Sequence, residues 1–420
     1  MDGMRDFDAA SASKTVLPIR LVGLFVAQLC VYSTLSALCF ACPLYLLDRS
    51  GSSTLYGAVA AMAFIPGVLA TPAGGVLADR EGHRSVLAAL GIVLMVAAML
   101  FIPMKRSLPL AAVVAVMLCV QYAVQSILKP ILQIETLRIA GKEKVERATA
   151  LVSQTTMASN ILGPVVGTAV YGCFGIDALC AIAAAAFAMS SLLFWAALKR
   201  NVHSEVTGDG STRMACQSDF LSAIWYLLQN TSLLAVILLA AVLNLALVGL
   251  TIGAPVIVTR HLGMQSSCVG IIEAAMGLGG LVGGGLVGIW PNCFSFNGIC
   301  RYVAMICLGV VPVIVTLPIG VDVIVFAALA VGSAWVMAWA SITSVEIVSF
   351  VQRSAPKELC GKVLALVYMT LSCATPIGQL VYGLAYDRWT PASVFAGMLA
   401  VLTLTTALFY RLKSRLWRLS

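Results

Sequence analysis

The sequence predicts an all-α polytopic membrane protein with twelve transmembrane helices in two pseudo-symmetric six-helix bundles. Three observations carry this prediction. The chain has 420 residues of which 60 % are apolar and 10 % charged, with a mean hydropathy of +0.99, whereas soluble domains are about 45–50 % apolar and about 25 % charged. That much apolar surface has no place to hide in water, which excludes an ordinary soluble enzyme. The apolar residues fall into twelve runs of membrane-crossing length, about 20 residues each. A stretch of the first half also recurs in the second.

Short charged or Pro/Gly-containing breaks set the spans. In the first half they run 19–47 (up to Asp48-Arg49), 54–78 (after Gly51, up to Asp79-Arg80), 85–104 (up to Lys105-Arg106), 109–138 (from Pro109), 148–173 (after the charged stretch 142–147) and 178–198 (up to Lys199-Arg200). The second half gives 231–259 (up to Arg260), 266–290 (up to Pro291), 301–319 (up to Gly320), 323–349 (after Asp322), 361–386 (up to Asp387-Arg388) and 392–410 (after Pro391). The domains expected are an N-terminal bundle with its tail over 1–198, a linker over 199–230 and a C-terminal bundle with its tail over 231–420. The linker is rich in Ser, Thr, Gly and charge. Its end, Ser218 to Leu228, reads as an interfacial amphipathic helix with Asp219 near its start.

Of the 26 Lys and Arg, twenty fall on the side of the N-terminus, five on the other side, and Lys129 lies within a span. By the positive-inside rule both termini are cytoplasmic, and the chain belongs in a cytoplasmic (inner) membrane. The first apolar run is too long for a signal-peptide core. The net charge of +8 points to cytoplasmic loops and anionic lipid rather than to nucleic acid, since no basic run is interleaved with aromatics. Thirteen scattered Cys do not read as a disulfide framework; Cys39 and Cys42 read as small packing residues rather than a redox or metal pair.

The internal repeat is read by direct comparison. Residues 140–151 align without gaps on residues 355–366, an offset of 215, and the same offset matches Gly163 to Gly378 and Tyr171 to Tyr386. Two six-helix halves of the same sense form a parallel repeat, the architecture of transporters with a central site.

The loop after the second span reads Gly75-Val76-Leu77-Ala78-Asp79-Arg80-Glu81-Gly82-His83-Arg84. Gly75 allows close helix approach and Gly82 a tight turn, while Asp79, Arg80 and Arg84 can meet a helix end, carboxylates or lipid phosphates. Such a cluster can latch one conformation; as plain positive-inside loop chemistry it would only fix topology. This stretch resembles the signature between helices two and three of the major facilitator superfamily. The corresponding second-half loop, Trp290 to Arg301, has lost the acid.

In the fifth span, Ser159-Asn160-Ile161-Leu162-Gly163-Pro164-Val165-Val166-Gly167 resembles the glycine–proline signature of that family's exporters, with Ser159 in place of the leading Gly. Residues 147–151 and 356–363 look like the branch that contains macrolide-efflux and enterobactin-exporter proteins. The resemblance covers essentially the whole chain at pattern level. It implies secondary transport by alternating access, most simply export coupled to protons. No ATP-binding G-x-x-x-x-G-K-[ST] loop is present.

Polar groups inside spans are costly and therefore candidate sites. Gln121, Gln125, Lys129 and Gln133 recur at i+4 in the fourth span, a stripe expected to face a central cavity. Lys129 suits an anionic substrate group, or pairs with a helix end or carboxylate. Glu273, above a run of glycines in the eighth span, is the best isolated membrane carboxyl and suits proton exchange; a hydrogen-bonded structural acid is the alternative. Trp335, Trp339 and Glu346 share a face of the tenth span. The tryptophans could wall a drug-binding cavity or serve as packing, and Glu346 could carry a proton or pair with Arg353. Glu135 and Arg138 read as a gate or packing pair.

The expected function is proton-coupled export of a small amphipathic compound. The expected partners are substrate, protons and membrane lipid, and the expected state is a monomer. Export of a siderophore or other anionic metabolite is the close alternative. A non-transporting membrane sensor or scaffold is the alternative of another class, disfavoured because tails of about 18 and 10 residues leave no room for a signalling domain. Enzyme activity, cofactor and metal are not expected: the three His (His83, His203, His261) lie in loops or tails and form no cluster.

Overall fold

A computed structural model of the chain describes residues 19–78, 83–140, 145–198, 225, 227, 229–290, 293–354 and 360–416. Asp79, Arg80 and Gly82, most of the linker, and the interfacial helix apart from Trp225 and Leu227 lie outside the described residues. The N-terminal half contains α1 (Ile19–Ser50), α2 (Ser53–Ala78), α3 (His83–Ser107) and α4 (Leu110–Ala140), followed by a helical run Val145–Ala197. Gly175, with φ 82° and ψ 173°, breaks that run into α5 (145–174) and α6 (176–197).

The break is a reversal of direction, as the packing against α1 demonstrates. Gly163 and Gly167 of α5 lie against Ser33, Ser36 and Ala37 in parallel register, while Gly23 meets Ala197 and the Cys30 thiol donates to the Ala186 carbonyl in antiparallel register. Glycine is required at the turn because a side chain strains this left-handed backbone.

The second half contains α7 (Thr231–Val256), α8 (Ser266–Ile289), α9 (Ile299–Thr316), α10 (Asp322–Ser354), α11 (Cys360–Arg388) and α12 (Pro391–Leu416). Ten described stretches are long and apolar enough to cross a membrane. One of them, Gln154–Ala197, is the α5–α6 hairpin and crosses twice. Together with α11, whose apolar surface is diluted by Thr370, Ser372, Thr375 and Gln379, this gives twelve crossings.

The same contacts recur in both halves. Gly163 packs on the Ser33 carbonyl, and Gly378 packs on Val248; both partners are displaced by 215 residues. Gly67 of α2 lies against Tyr122 of α4, and Gly279 and Gly283 of α8 lie against Ala334 and Ala338 of α10, each pair separated by 55 residues. Within lipid there is little hydrophobic drive between helices, so close approach through small residues supplies the packing. One apolar cluster runs through α1–α6 around Leu35, Phe101 and Phe187; a second runs through α7–α12 around Ile272, Val303 and Phe395.

The two halves meet at the end of the bundle away from residues 19 and 416. There Leu44, Leu47 and Tyr56 join the apolar cluster of the second half. Asp387, at the tip of α11, accepts from the backbone N–H groups of Ser53 and Thr54, both at 2.8 Å, from the Ser52 hydroxyl at 2.9 Å and from Arg260 Nη1 at 2.7 Å. An acid of one half thus caps the first turn of α2 in the other, where the free N–H groups and helix dipole favour negative charge. Asp48, ending α1, likewise accepts from Tyr171 (2.7 Å) and from Ser266 at the start of α8 (2.6 Å).

Below this layer, Gly57 lies against the Gln379 carbonyl and Gly383. Further along the α5–α8 seam, Gly270 meets Thr168 and Gly277 meets Ile161. Continuing along α8, Gly284 and Gly288 meet nothing within 4 Å. Among the described residues the halves are therefore closed at one end and separated at the other, with a cleft between.

Two substitutions should separate packing from closure. Gly57→Ala places a methyl group inside the Gln379 carbonyl and should open the closed end, read as at least a fivefold rise in thiol-reagent labelling of a cysteine placed at Thr54. Gly167→Val, whose Cβ would lie 2.8 Å from Ala37 backbone, wedges α1 from α5 and should lower the melting temperature by several degrees, on the order of 1–3 kcal/mol for overpacking.

Candidate substrate cavity

The α4 stripe maps the depth of the cleft. Gln121 is fully buried and Gln125 half-buried, whereas Lys129 and Gln133 are exposed. The gradient follows the direction of opening, with Gln121 deepest and Lys129 two turns, about 12 Å, nearer the mouth. Gln121 Oε1 accepts from the Cys39 thiol of α1 at 2.9 Å, while its Nε2 is buried with no partner. Cys39 and Cys42 are free thiols.

Glu273 stands across the cleft on α8. Gly270 and Gly277, three residues before and four after it, carry the contact to α5, so Glu273 shares the face that forms the seam between halves. Its Oε1 is buried and has no hydrogen-bond partner. It lies within electrostatic reach of the Tyr56 hydroxyl on α2, and Tyr56 in turn lies within reach of Tyr122 on α4. Phe64 packs on Tyr122 with ring centroids 4.9 Å apart. Gln379 of α11, whose backbone abuts Gly57, presents a further buried Oε1 with no partner. Residues of α2, α4, α8 and α11 thus converge just inside the closed end.

The other candidates are placed elsewhere. Trp335 donates from its indole nitrogen to the Met305 carbonyl at 2.8 Å, and Trp339 stacks on Tyr302 at 5.8 Å. Both are packed between α10 and α9, and the structure does not bring them to Gln121 or Gln125. Buried Glu346 lies 4.0 Å from exposed Arg353, the pairing expected of a structural acid. Gly163 and Gly167 are in the α1–α5 contact described above, with Pro164 beside them on α5. The side chain of Gly75, on α2, is outside the described residues. Arg84 lies over the Trp195 ring of α6 at 3.9 Å.

Several residues gave no signal in the sequence. Glu135, expected beside Arg138, instead pairs with His83 Nδ1, and His83 Nε2 contacts the Leu77 carbonyl at 3.1 Å. Both partners are buried, and they tie the end of α4 to the start of α3. Tyr56, Tyr122 and Asp387 carry no periodic pattern that separates them from packing aromatics or a surface acid. Gln379, a polar group within a span, was findable by the rule that singled out Gln121. Among the described residues no three His, Cys, Asp or Glu gather into a metal site.

Two helical bundles around a cleft closed at one end have the architecture of a membrane carrier. The chain belongs to the Major Facilitator Superfamily, whose family model matches residues 24–350. Among solved structures it is similar to a bacterial homologue of the human lysosomal transporter Spinster in an inward-facing, unoccupied conformation (TM-score 0.71, 12 % identity, 96 % of this chain and 98 % of that one). A bacterial homologue of the iron transporter ferroportin, inward-facing, is similar at TM-score 0.71 and 14 % identity, over 94 % and 99 % of the two chains. A D-xylose–proton symporter is similar at TM-score 0.65 and 15 % identity, over 93 % and 97 %. At these identities the likeness shows the fold alone. No curated protein sequence matches.

The buried His83–Glu135 pair yields a stability test. Removing one member strands the other in a poorly solvated site, which costs more than removing both. His83→Ala and Glu135→Ala should each lower the melting temperature by several degrees, and the double variant should lose less than the two losses added together.

Proposed function

We propose that the chain is a proton-coupled exporter of a small amphipathic compound, working by alternating access. The N-terminal bundle over 1–198 and the C-terminal bundle over 231–420 rock about the cleft, joined by the linker 199–230. The observation that carries this reading is Glu273: a carboxyl on the seam between the halves, with a buried unpaired oxygen, at the blind end of the cleft. A group so placed changes its surroundings whenever the seam opens or closes, so its protonation is coupled to conformation.

The cycle follows from this position. In the conformation described here the cleft faces the termini, which the excess of Lys and Arg assigns to the cytoplasm of an inner membrane. Substrate enters from that side and the deprotonated carboxyl favours its binding. Opening the other end exposes Glu273 to the exterior, where protonation releases the substrate. The protonated carrier returns and gives up its proton inside. The loop residues Gly75, Asp79, Arg80, Gly82 and Arg84 act on the cytoplasmic side as the latch of the opposite conformation. Glu346, paired with Arg353, is the lesser candidate for the proton site. We take the carrier as a monomer in contact with lipid.

Lys129 supports a second reading, export of an anionic metabolite such as a siderophore, because it is exposed at the mouth of the cleft. Proteoliposomes loaded with a cationic, a neutral and an anionic dye (ethidium, Nile red and fluorescein) test both. An imposed pH gradient should accelerate movement of at least one dye several-fold in wild type and not in Glu273→Gln. Movement unaffected by the gradient, or full coupling in Glu273→Gln, contradicts the mechanism. Preference for fluorescein, abolished by Lys129→Ala, selects the second reading.

A further inference from the structure

We infer that the blind end of the cleft binds a protonated amine with an apolar, ring-bearing body. The inference rests on the transporter reading above and names the ligand class of its central site. It starts from an inventory of unmet hydrogen bonds. Around Tyr56 the second half presents two buried acceptors without partners, Glu273 Oε1 and Gln379 Oε1, and Gln121 on α4 presents one buried donor. Buried polar atoms left unpaired cost about 1–3 kcal/mol each, so a site that holds several is complementary to what it binds rather than to itself. Two acceptors, one of them a carboxylate, call for a ligand with N–H donors and a positive charge.

The charge balance agrees. Among the described residues no cation pairs with Glu273: Arg260 is engaged by Asp387, Lys105 by Asp177, and Lys129 lies toward the mouth. A divalent metal has no ligand set here, since no group of three His, Cys, Asp or Glu is present among the described residues. The rings of Tyr56, Tyr122 and Phe64 on the facing helices supply the complement to an apolar body, and aromatic faces attract organic cations. An ammonium headgroup seated between Glu273 and Gln379, with its body along α2 and α4, satisfies the carboxylate that otherwise remains uncompensated. The same carboxylate then holds either a proton or the amine, which makes export of one depend on entry of the other.

The test compares phenethylammonium, its N,N,N-trimethyl derivative and 3-phenylpropionate by calorimetric titration of the full-length protein in detergent. The same body is thereby offered with a cation bearing N–H, a cation lacking it, and an anion. Phenethylammonium should bind at least tenfold more tightly than 3-phenylpropionate and several-fold more tightly than the trimethyl derivative. Glu273→Gln should weaken it at least tenfold, while Lys129→Ala, melting like wild type, should leave it within twofold. Equal or tighter binding of 3-phenylpropionate, or an affinity within twofold in a folded Glu273→Gln, overturns the inference. The dye experiment fails separately: gradient-driven transport without amine preference removes only the ligand class, and amine binding without any transport removes only the carrier cycle.

Discussion

Contact between the two bundles at one end only is the constraint on which the rest of the structure depends. Without the layer around Asp387 and Asp48 the halves would be two unrelated bundles, and with equal contact at both ends there would be no cleft. Four donors from three segments meet the Asp387 carboxylate, which lies at a surface where its side chain is 22 % exposed. Partial exposure reduces the contribution of the Arg260 pair, since surface ion pairs are worth about 0–1 kcal/mol. The helix-capping bonds to Ser53 and Thr54 add a further contribution of order 1 kcal/mol. A closure of that strength is firm enough to populate one state and weak enough to be reversed by a ligand of ordinary affinity.

Asp387 and Glu273 make an instructive pair. Both are acids contributed by the second half near the junction with the first. One is met by every donor available to it, and the other has an oxygen that meets none. A satisfied carboxylate holds structure together; an unsatisfied one in a cleft marks where a proton or a ligand is missing. The glycines of the seam serve the same division of labour. Gly57 permits backbone contact where the halves close, and Gly284 and Gly288 leave the same kind of surface open further along α8.

Much of the fold was legible in the sequence because the bilayer enforces a simple code. Long apolar runs and their charged breaks located the helices within a few residues, and the repeat at 215 residues anticipated that Gly163 and Gly378 occupy equivalent packing positions. The α5–α6 reversal fell at Gly175, between the two spans expected there. The polar stripe of α4 was visible because a spacing of four keeps residues on one helix face, and its burial gradient follows the cleft. What stayed hidden depends on neighbours distant in the chain. Trp335 and Trp339 share a helix face, but only the packing of α9 decides that this face is turned to Met305 and Tyr302. His83 reads as a loop residue until α4 brings Glu135 to it. Tyr56 and Tyr122 look like any packing aromatics until Glu273 and Gln121 are placed beside them.

The central claim is that Glu273 stands at the blind end of an aqueous cleft rather than against lipid. Carbodiimide modification followed by mass spectrometry tests it directly, using a water-soluble reagent and lipid-soluble dicyclohexylcarbodiimide on vesicles of both orientations. The account predicts that the water-soluble reagent modifies Glu273 when applied from the side of the termini. Modification by the lipid-soluble reagent alone, from either side, would place the carboxyl against acyl chains and contradict it.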